Sequence, residues 1–214
     1  MEQSKLFPKV FLWLFIGLLV SGVTGYYVSS QPNMMYNIYS NGWYLYLGIA
    51  EIIVVIFLSA RIRKMSHMTA VISYLLYSIL TGVTLSSIFA VFTSASIVLV
   101  FGITALIFAI FAVIGYTTKL DLTRWFNILF LGVLGVIIVG LVNIFLGNSI
   151  VELVISIVTV ILFVGFIAYD IQKIKRLSAT MEDENKVAII GALELYLDFI
   201  NIFIRLLSIF GREK

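Results

Sequence analysis

The chain predicts an all-α polytopic membrane protein of seven transmembrane helices with the last helix central. Of its 214 residues, 62% are hydrophobic, where a soluble globular domain is about 45–50% apolar. Mean hydropathy is +1.13. The excess takes the form of seven apolar runs, each long enough to cross a hydrocarbon core about 30 Å thick, which needs roughly 20 helical residues at about 1.5 Å apiece. The last run carries its polar residues on one face, so that face should be turned away from lipid.

The runs place helices at Val10 to Val28, Trp43 to Ala60, Ala70 to Val91, Ile97 to Tyr116, Trp125 to Leu146, Ile150 to Asp170 and Val187 to Phe210, in one integral membrane domain over residues 1–214. The first run could pass for a signal sequence, but no small-x-small cleavage site follows it in SGVTGYYVSS, so it is expected to stay as a span. Trp43 and Trp125 open the second and fifth helices and suit an interfacial aromatic belt. Small residues that let helices approach lie in the first helix (Ser21, Gly22, Gly25), the third (Ser78, Thr81, Gly82) and the fifth (Gly132, Gly135, Gly140). The stretches SSQPNMMYNIYSNG and IQKIKRLSATMEDENK read as loops. Pro8 and Pro32 fall outside the spans, so no proline kink is expected. Barrel strands would alternate at period two, whereas these runs are apolar at consecutive positions.

Basic residues orient the bundle. With the N-terminus in the cytoplasm, Lys5, Lys9, Arg61, Arg63, Lys64, Lys119, Arg124, Lys173, Lys175, Arg176 and Lys186 share one side, and only Arg212 and Lys214 oppose them. The expected topology is cytoplasmic N-terminus and external C-terminus in the cell membrane. A last segment that folds back as a re-entrant hairpin is the alternative. The net charge of +3 comes mainly from those loops and indicates an anionic leaflet rather than a nucleic-acid groove. With no cysteine in the chain, disulfides, thiolate metal sites and a cysteine nucleophile are excluded together. The lone histidine, His67, is expected to be interfacial.

In LELYLDFINIFIRLL, residues 193–207, Glu194, Asp198, Asn201 and Arg205, followed by Ser208, are spaced four, three, four and three. At about 100° per residue these positions share one stripe roughly 80° wide. An ionisable stripe in a membrane helix should face a protein interior or a watery cavity. Glu51 and Arg205 lie at comparable depth from the outer ends of their helices, roughly 12 Å and 8 Å, and are expected to pair as a structural clamp or an outer gate. Glu152, near the outer start of the sixth helix, is expected to be solvated. Asp170 ends the sixth helix, where it could pair with Lys173 or Arg176. Asp198 lies deep in the seventh and must be paired, protonated or hydrated. The sixth and seventh helices should be antiparallel neighbours. That makes Asp170 a candidate partner for Asp198, and two close carboxyls share a proton and titrate as a unit.

AYDIQKI (168–174), LELYLDFINIFIRLLSIFG (193–211) and TGVTLSSIF (81–89) together resemble the Bax inhibitor-1 family of transmembrane proteins. The resemblance implies seven helices with the last one ringed by the other six, and a proton-sensitive calcium leak controlled by an aspartate pair. Residue by residue, it makes Asp170 and Asp198 the gate and the transient calcium ligands. It makes Arg61, or else Arg63, the basic residue that competes for Asp170. Glu51, Glu194, Asn201 and Arg205 are then candidate pore or clamp residues. The sequence departs from the family pattern in two places: Ser208 stands where a basic residue is expected a turn after Arg205, and Ser87 stands where a proline is expected in the third helix.

The expected partners are the lipid bilayer, calcium and protons, with no cofactor, no nucleic acid and no enzymatic activity. A membrane interaction protein that modulates a protease or another complex is the alternative function. An intramembrane aspartyl protease is a further one, but its Gly-x-Gly-Asp sequence is missing around Asp198, which follows Leu195, Tyr196 and Leu197.

Overall fold

The computed structural model describes residues 3–214. The helices are α1 (Gln3–Ser29), α2 (Pro32–Ser40), α3 (Trp43–Arg61), α4 (His67–Thr84), α5 (Ser86–Val91), α6 (Ser94–Thr117), α7 (Trp125–Leu146), α8 (Ser149–Thr180) and α9 (Glu184–Phe210). Short 3₁₀ turns at Ile62–Lys64 and Leu122–Arg124 complete them. Phe92 and Glu213 form an isolated antiparallel bridge. Among the described residues seven helical stretches are long and apolar enough to cross a membrane, with α4 and α5 forming one of them. The chain is an all-α polytopic membrane protein.

Four expectations about local structure are corrected. The SSQPNMMYNIYSNG stretch is not all loop, because Pro32 opens α2 in its first turn, where the missing proline N–H would have had no helical partner. That helix stops before Gly42, whose φ of 74° suits a residue without Cβ. Pro8 lies inside α1, since the helix reaches back beyond the apolar run. It is the sixth residue of the helix, beyond the first four whose N–H groups lack helical partners, so one backbone bond is forgone there. Asp170 is not at a helix end: α8 runs ten residues further, to Thr180, because IQKIKRLSAT holds no glycine or proline and is rich in good helix formers. The connection to α9 is therefore only residues 181–183.

The third span breaks without a proline. Leu85 separates α4 from α5, and the local hydroxyls bond backward to carbonyls around the break. Ser86 donates to Val83 O at 2.7 Å and Ser87 to Thr84 O at 3.4 Å, while Thr84 Oγ1 lies 2.8 Å from Thr81 O. Such bonds offer the backbone an alternative to the helical ladder and bend helices.

The residues fall into two compact units. The first comprises the chain up to Thr93, Ser178–Tyr196 and Glu213–Lys214; the second comprises Ser94–Leu177 and Leu197–Arg212. Helices α8 and α9 contribute to both.

In the first unit α1 packs on α4 and α5, and α3 packs on α4. A Cβ on Gly82 would stand 2.7 Å from Ser21 O and from Thr24 Cβ, so α1 and α4 meet there with no room for a side chain. Beside this contact the buried Tyr196 ring lies edge-on to Tyr74, with centroids 5.8 Å apart, and to Tyr77, 6.0 Å apart. Its hydroxyl is 2.6 Å from Ser21 Oγ, which also reaches Ser78 O at 2.7 Å and Gly17 O at 3.0 Å. Tyr196→Phe is expected to lower stability by about 1 kcal/mol, because the bond to Ser21 is lost while Ser21 keeps its two carbonyl acceptors. A thermal melt in lipid nanodiscs reads this, and an unchanged midpoint would mean that the tyrosine bond adds nothing.

In the second unit Gln172 clips the connection that precedes α7, accepting from Leu122 N–H at 3.1 Å and donating to Leu120 O at 2.8 Å. Asp121 caps the 3₁₀ turn there. The Thr123 hydroxyl and amide, aided by Arg176 and Arg124, hold its carboxyl below the usual carboxylate range. Phe199 and Phe203 of α9 pack on Phe101, with centroids 5.2 and 6.1 Å away, and Phe199 also packs on Phe108 at 5.8 Å.

Not all the small residues read as packing points serve that purpose. Cβ atoms added at Gly22, Gly135 or Gly140 would meet open space, whereas those at Gly25, Gly82 and Gly132 would strike neighbours. Burial singles out α9. In its most apolar window 72% of residues are buried, against 11–33% for the other six spans.

Candidate functional site

Two carboxylates are buried in membrane helices of the second unit, Asp170 on α8 and Asp198 on α9. They are 6% and 3% exposed, at depths where an ionised group needs compensation. Lys173, one turn along α8, places its ammonium 3.7 Å from Asp170 Oδ1. The same ammonium lies 5.8 Å from the centre of the Tyr169 ring. The Lys173 contact read from the sequence is therefore present, although Asp170 is within the helix rather than at its edge. Arg176, the other basic residue considered for Asp170, stands 3.7 Å from Asp121.

The polar stripe of α9 divides by surroundings. Glu194 belongs to the first unit and is half-buried. Asp198, Asn201 and Arg205 belong to the second. Asn201 donates its Nδ2–H to Leu197 O at 2.8 Å, back along its own helix. Around the stripe, Leu195, Phe199, Ile202 and Leu206 are buried, so α9 meets protein on more than its polar face. Ser208 is exposed.

The clamp expected between Glu51 and Arg205 is replaced by separate partners. Arg205 Nη1 donates to Glu152 Oε1 at 2.8 Å, from α9 to α8. Glu51 instead accepts the hydroxyl of Thr81 at Oε1, 2.7 Å away, and that of Thr84 at Oε2, 2.8 Å away. Sequence spacing sets the depth of a charge but not which helices touch. Glu152 lies three residues after the start of α8, and Arg205 five before the end of α9. Equal depth was as good a reason to pair Arg205 with Glu152, which had been expected to be merely solvated.

Arg61 and Arg63 are exposed in the first unit, at and just beyond the end of α3. The Arg61 guanidinium lies over the Phe57 ring, 5.9 Å from its centre, a cation–π contact on the same helix. Among the described residues no three His, Cys, Asp or Glu side chains form a metal-holding group.

Across residues 3–214 the sequence matches the family described as inhibitor of apoptosis-promoting Bax1. The chain belongs to the Bax inhibitor-1 family. Inner membrane protein YbhL of Escherichia coli is 40% identical over 212 residues that cover 96% of this chain and 91% of that one. A protein of Borreliella burgdorferi is 41% identical over 217 residues, covering 99% of this chain and 94% of its own length. A membrane protein of Streptococcus pyogenes is 32% identical over 215 residues, covering 98% and 93%. The Bax inhibitor-1 match and the seven apolar helices together make this a multi-pass membrane protein.

Proposed function

We propose that this Bax inhibitor-1 protein is a pH-sensitive calcium leak channel of the cell membrane, gated by Asp170 and Asp198 sharing a proton. The observation that carries the proposal is the burial of one carboxyl on each of two consecutive membrane helices within one unit. Burial makes a second negative charge costly, so the pair gains and loses protons as a unit. Its charge then sets both the attraction for a passing divalent cation and the balance between closed and open packing. Calcium is cargo here, touching the aspartates in transit, and the chain performs no covalent chemistry. Glu194 and Asn201 line the same stripe of α9, and the Arg205–Glu152 pair ties that helix to α8.

The test is calcium release from liposomes that hold the purified protein and a trapped calcium indicator, stepped from neutral to acidic pH. Release that tracks pH is expected. Release equal at every pH, or equal to that of empty liposomes, would overturn the proposal and favour an interaction protein, which stoichiometric crosslinking to a partner would support.

The proposed topology has the N-terminus in the cytoplasm and the C-terminus outside, on the strength of the one-sided basic loops. The chain has no cysteine, so single cysteines report accessibility without background. Asn37, Ser94, Asn148 and Glu182 are all exposed. Cysteines at the first three should react with an impermeant maleimide on intact cells, and one at Glu182 only after lysis. Labelling of the Glu182 position in intact cells would invert the orientation.

A further inference from the structure

Glu51 is half-buried near the middle of α3 in the first unit, whereas Asp170 and Asp198 belong to the second. Its two oxygens are engaged separately, Oε1 by the Thr81 hydroxyl at 2.7 Å and Oε2 by the Thr84 hydroxyl at 2.8 Å. Both threonines lie in the last turn of α4, at the break in the third span. Thr84 Oγ1 is also 2.8 Å from Thr81 O, so it has two acceptors at equal distance.

A threonine hydroxyl has one hydrogen and can also accept. Two complete arrangements follow. With Glu51 ionised, Thr84 donates to Oε2, and Thr81 O keeps the Leu85 N–H at 2.8 Å. With a proton on Oε2, the carboxyl donates to Thr84 Oγ1, whose own hydrogen turns to Thr81 O. The added proton is accommodated by rotation of one hydroxyl. No heavy atom moves, and no donor or acceptor in the triad is left over.

The groups facing this carboxylate suit either state. Tyr77 of α4 and Tyr196 of α9 stand beside Glu51 and Thr81. Tyr39 of α2 braces the far side of the break, donating toward Thr84 O and lying within reach of Ser86 Oγ, both at 3.2 Å. Among the described residues of this unit no basic side chain is paired with Glu51 to fix it in the ionised form.

We infer that Glu51, Thr81 and Thr84 form a second proton-binding site, built at the break in the third span and independent of the aspartate pair. It goes beyond the calcium-leak reading and does not rest on it. When the proton binds, the Thr84 hydroxyl closes back on Thr81 O, so the site reports its occupancy to the last turn of α4, next to the break.

Infrared difference spectra of the purified full chain in lipid vesicles, recorded as pH is lowered, test this directly. In the Asp170→Asn, Asp198→Asn background, where the aspartate pair adds no band, a carboxylic-acid C=O band is expected, should persist when Thr84→Ser is added, and should disappear when Glu51→Gln is added. Thr84→Val removes the donor to the ionised form and the acceptor of the protonated form; the first bond is charge-assisted and the stronger of the two, so the apparent proton affinity should rise roughly fivefold, the difference between a charged and a neutral hydrogen bond. Should Glu51→Gln fail to fold, the Thr84→Val and Thr84→Ser midpoints decide the matter. An unchanged band with Glu51→Gln in that background, or equal midpoints with and without Thr84→Val, would overturn the inference. The spectra need no calcium flux, so failure of the leak assay and failure of this site are separately visible.

Discussion

Gly115→Ala is expected to destabilise the second unit by about 1–3 kcal/mol, the usual cost of forcing extra atoms into a packed contact. A Cβ at position 115 would stand 2.6 Å from both Cα and O of Ala168. Those are backbone atoms of α8, which cannot turn aside as a long side chain could. Helices α6 and α8 would have to separate, next to Tyr169 and Asp170. Gly135→Ala is the matched control, because its Cβ would meet nothing within 4 Å. There the alanine should be neutral or add about 0.5–1 kcal/mol through helix propensity. Thermal melts of both variants in lipid nanodiscs give the comparison. Equal midpoints would show that α6 and α8 do not meet at Gly115.

That contrast shows what the sequence could express. Gly115, Gly132 and Gly135 look alike in a run of apolar residues, and spacing cannot tell which faces another helix. The seven spans were legible because bilayer thickness imposes a length that composition satisfies or does not. Helix ends were less legible, because the bilayer limits hydrophobic length and not helical length. Thus α8 passes Asp170 without interruption, and α1 begins before its apolar run. The break after Thr84 was hidden for another reason: it rests on several weak hydroxyl bonds rather than on a proline that marks itself.

Charges followed the same division. The depth of Asp198 in α9 was readable, and so was its need for compensation. The choice of Glu152 over Glu51 as the partner of Arg205 was not, since both acids lie at suitable depth and only packing selects one. The threonines on Glu51 were inside the TGVTLSSIF motif. Their spacing of three puts them on one face of a helix, a signal that a carboxylate on a neighbouring helix could be solvated by hydroxyls instead of an arginine.

Asp170→Asn and Asp198→Asn are each expected to flatten the pH dependence of calcium release, and the double variant to flatten it no further. If one proton is shared, removing either carboxyl removes the coupling, so the second substitution has nothing left to abolish. One pKa unit corresponds to about 1.36 kcal/mol, enough to move a nearly balanced open–closed equilibrium roughly tenfold. Loss of the pair should therefore cut the acid-to-neutral ratio of release by about that factor. Asparagine keeps the volume and polarity of the side chain, which matters at sites 6% and 3% exposed. The sum of the effects distinguishes the pair from two independent sites. A double variant flatter than either single would mean separate titrations, and unchanged profiles in both singles would leave Asp170 as the partner of Lys173, 3.7 Å away, with no part in gating.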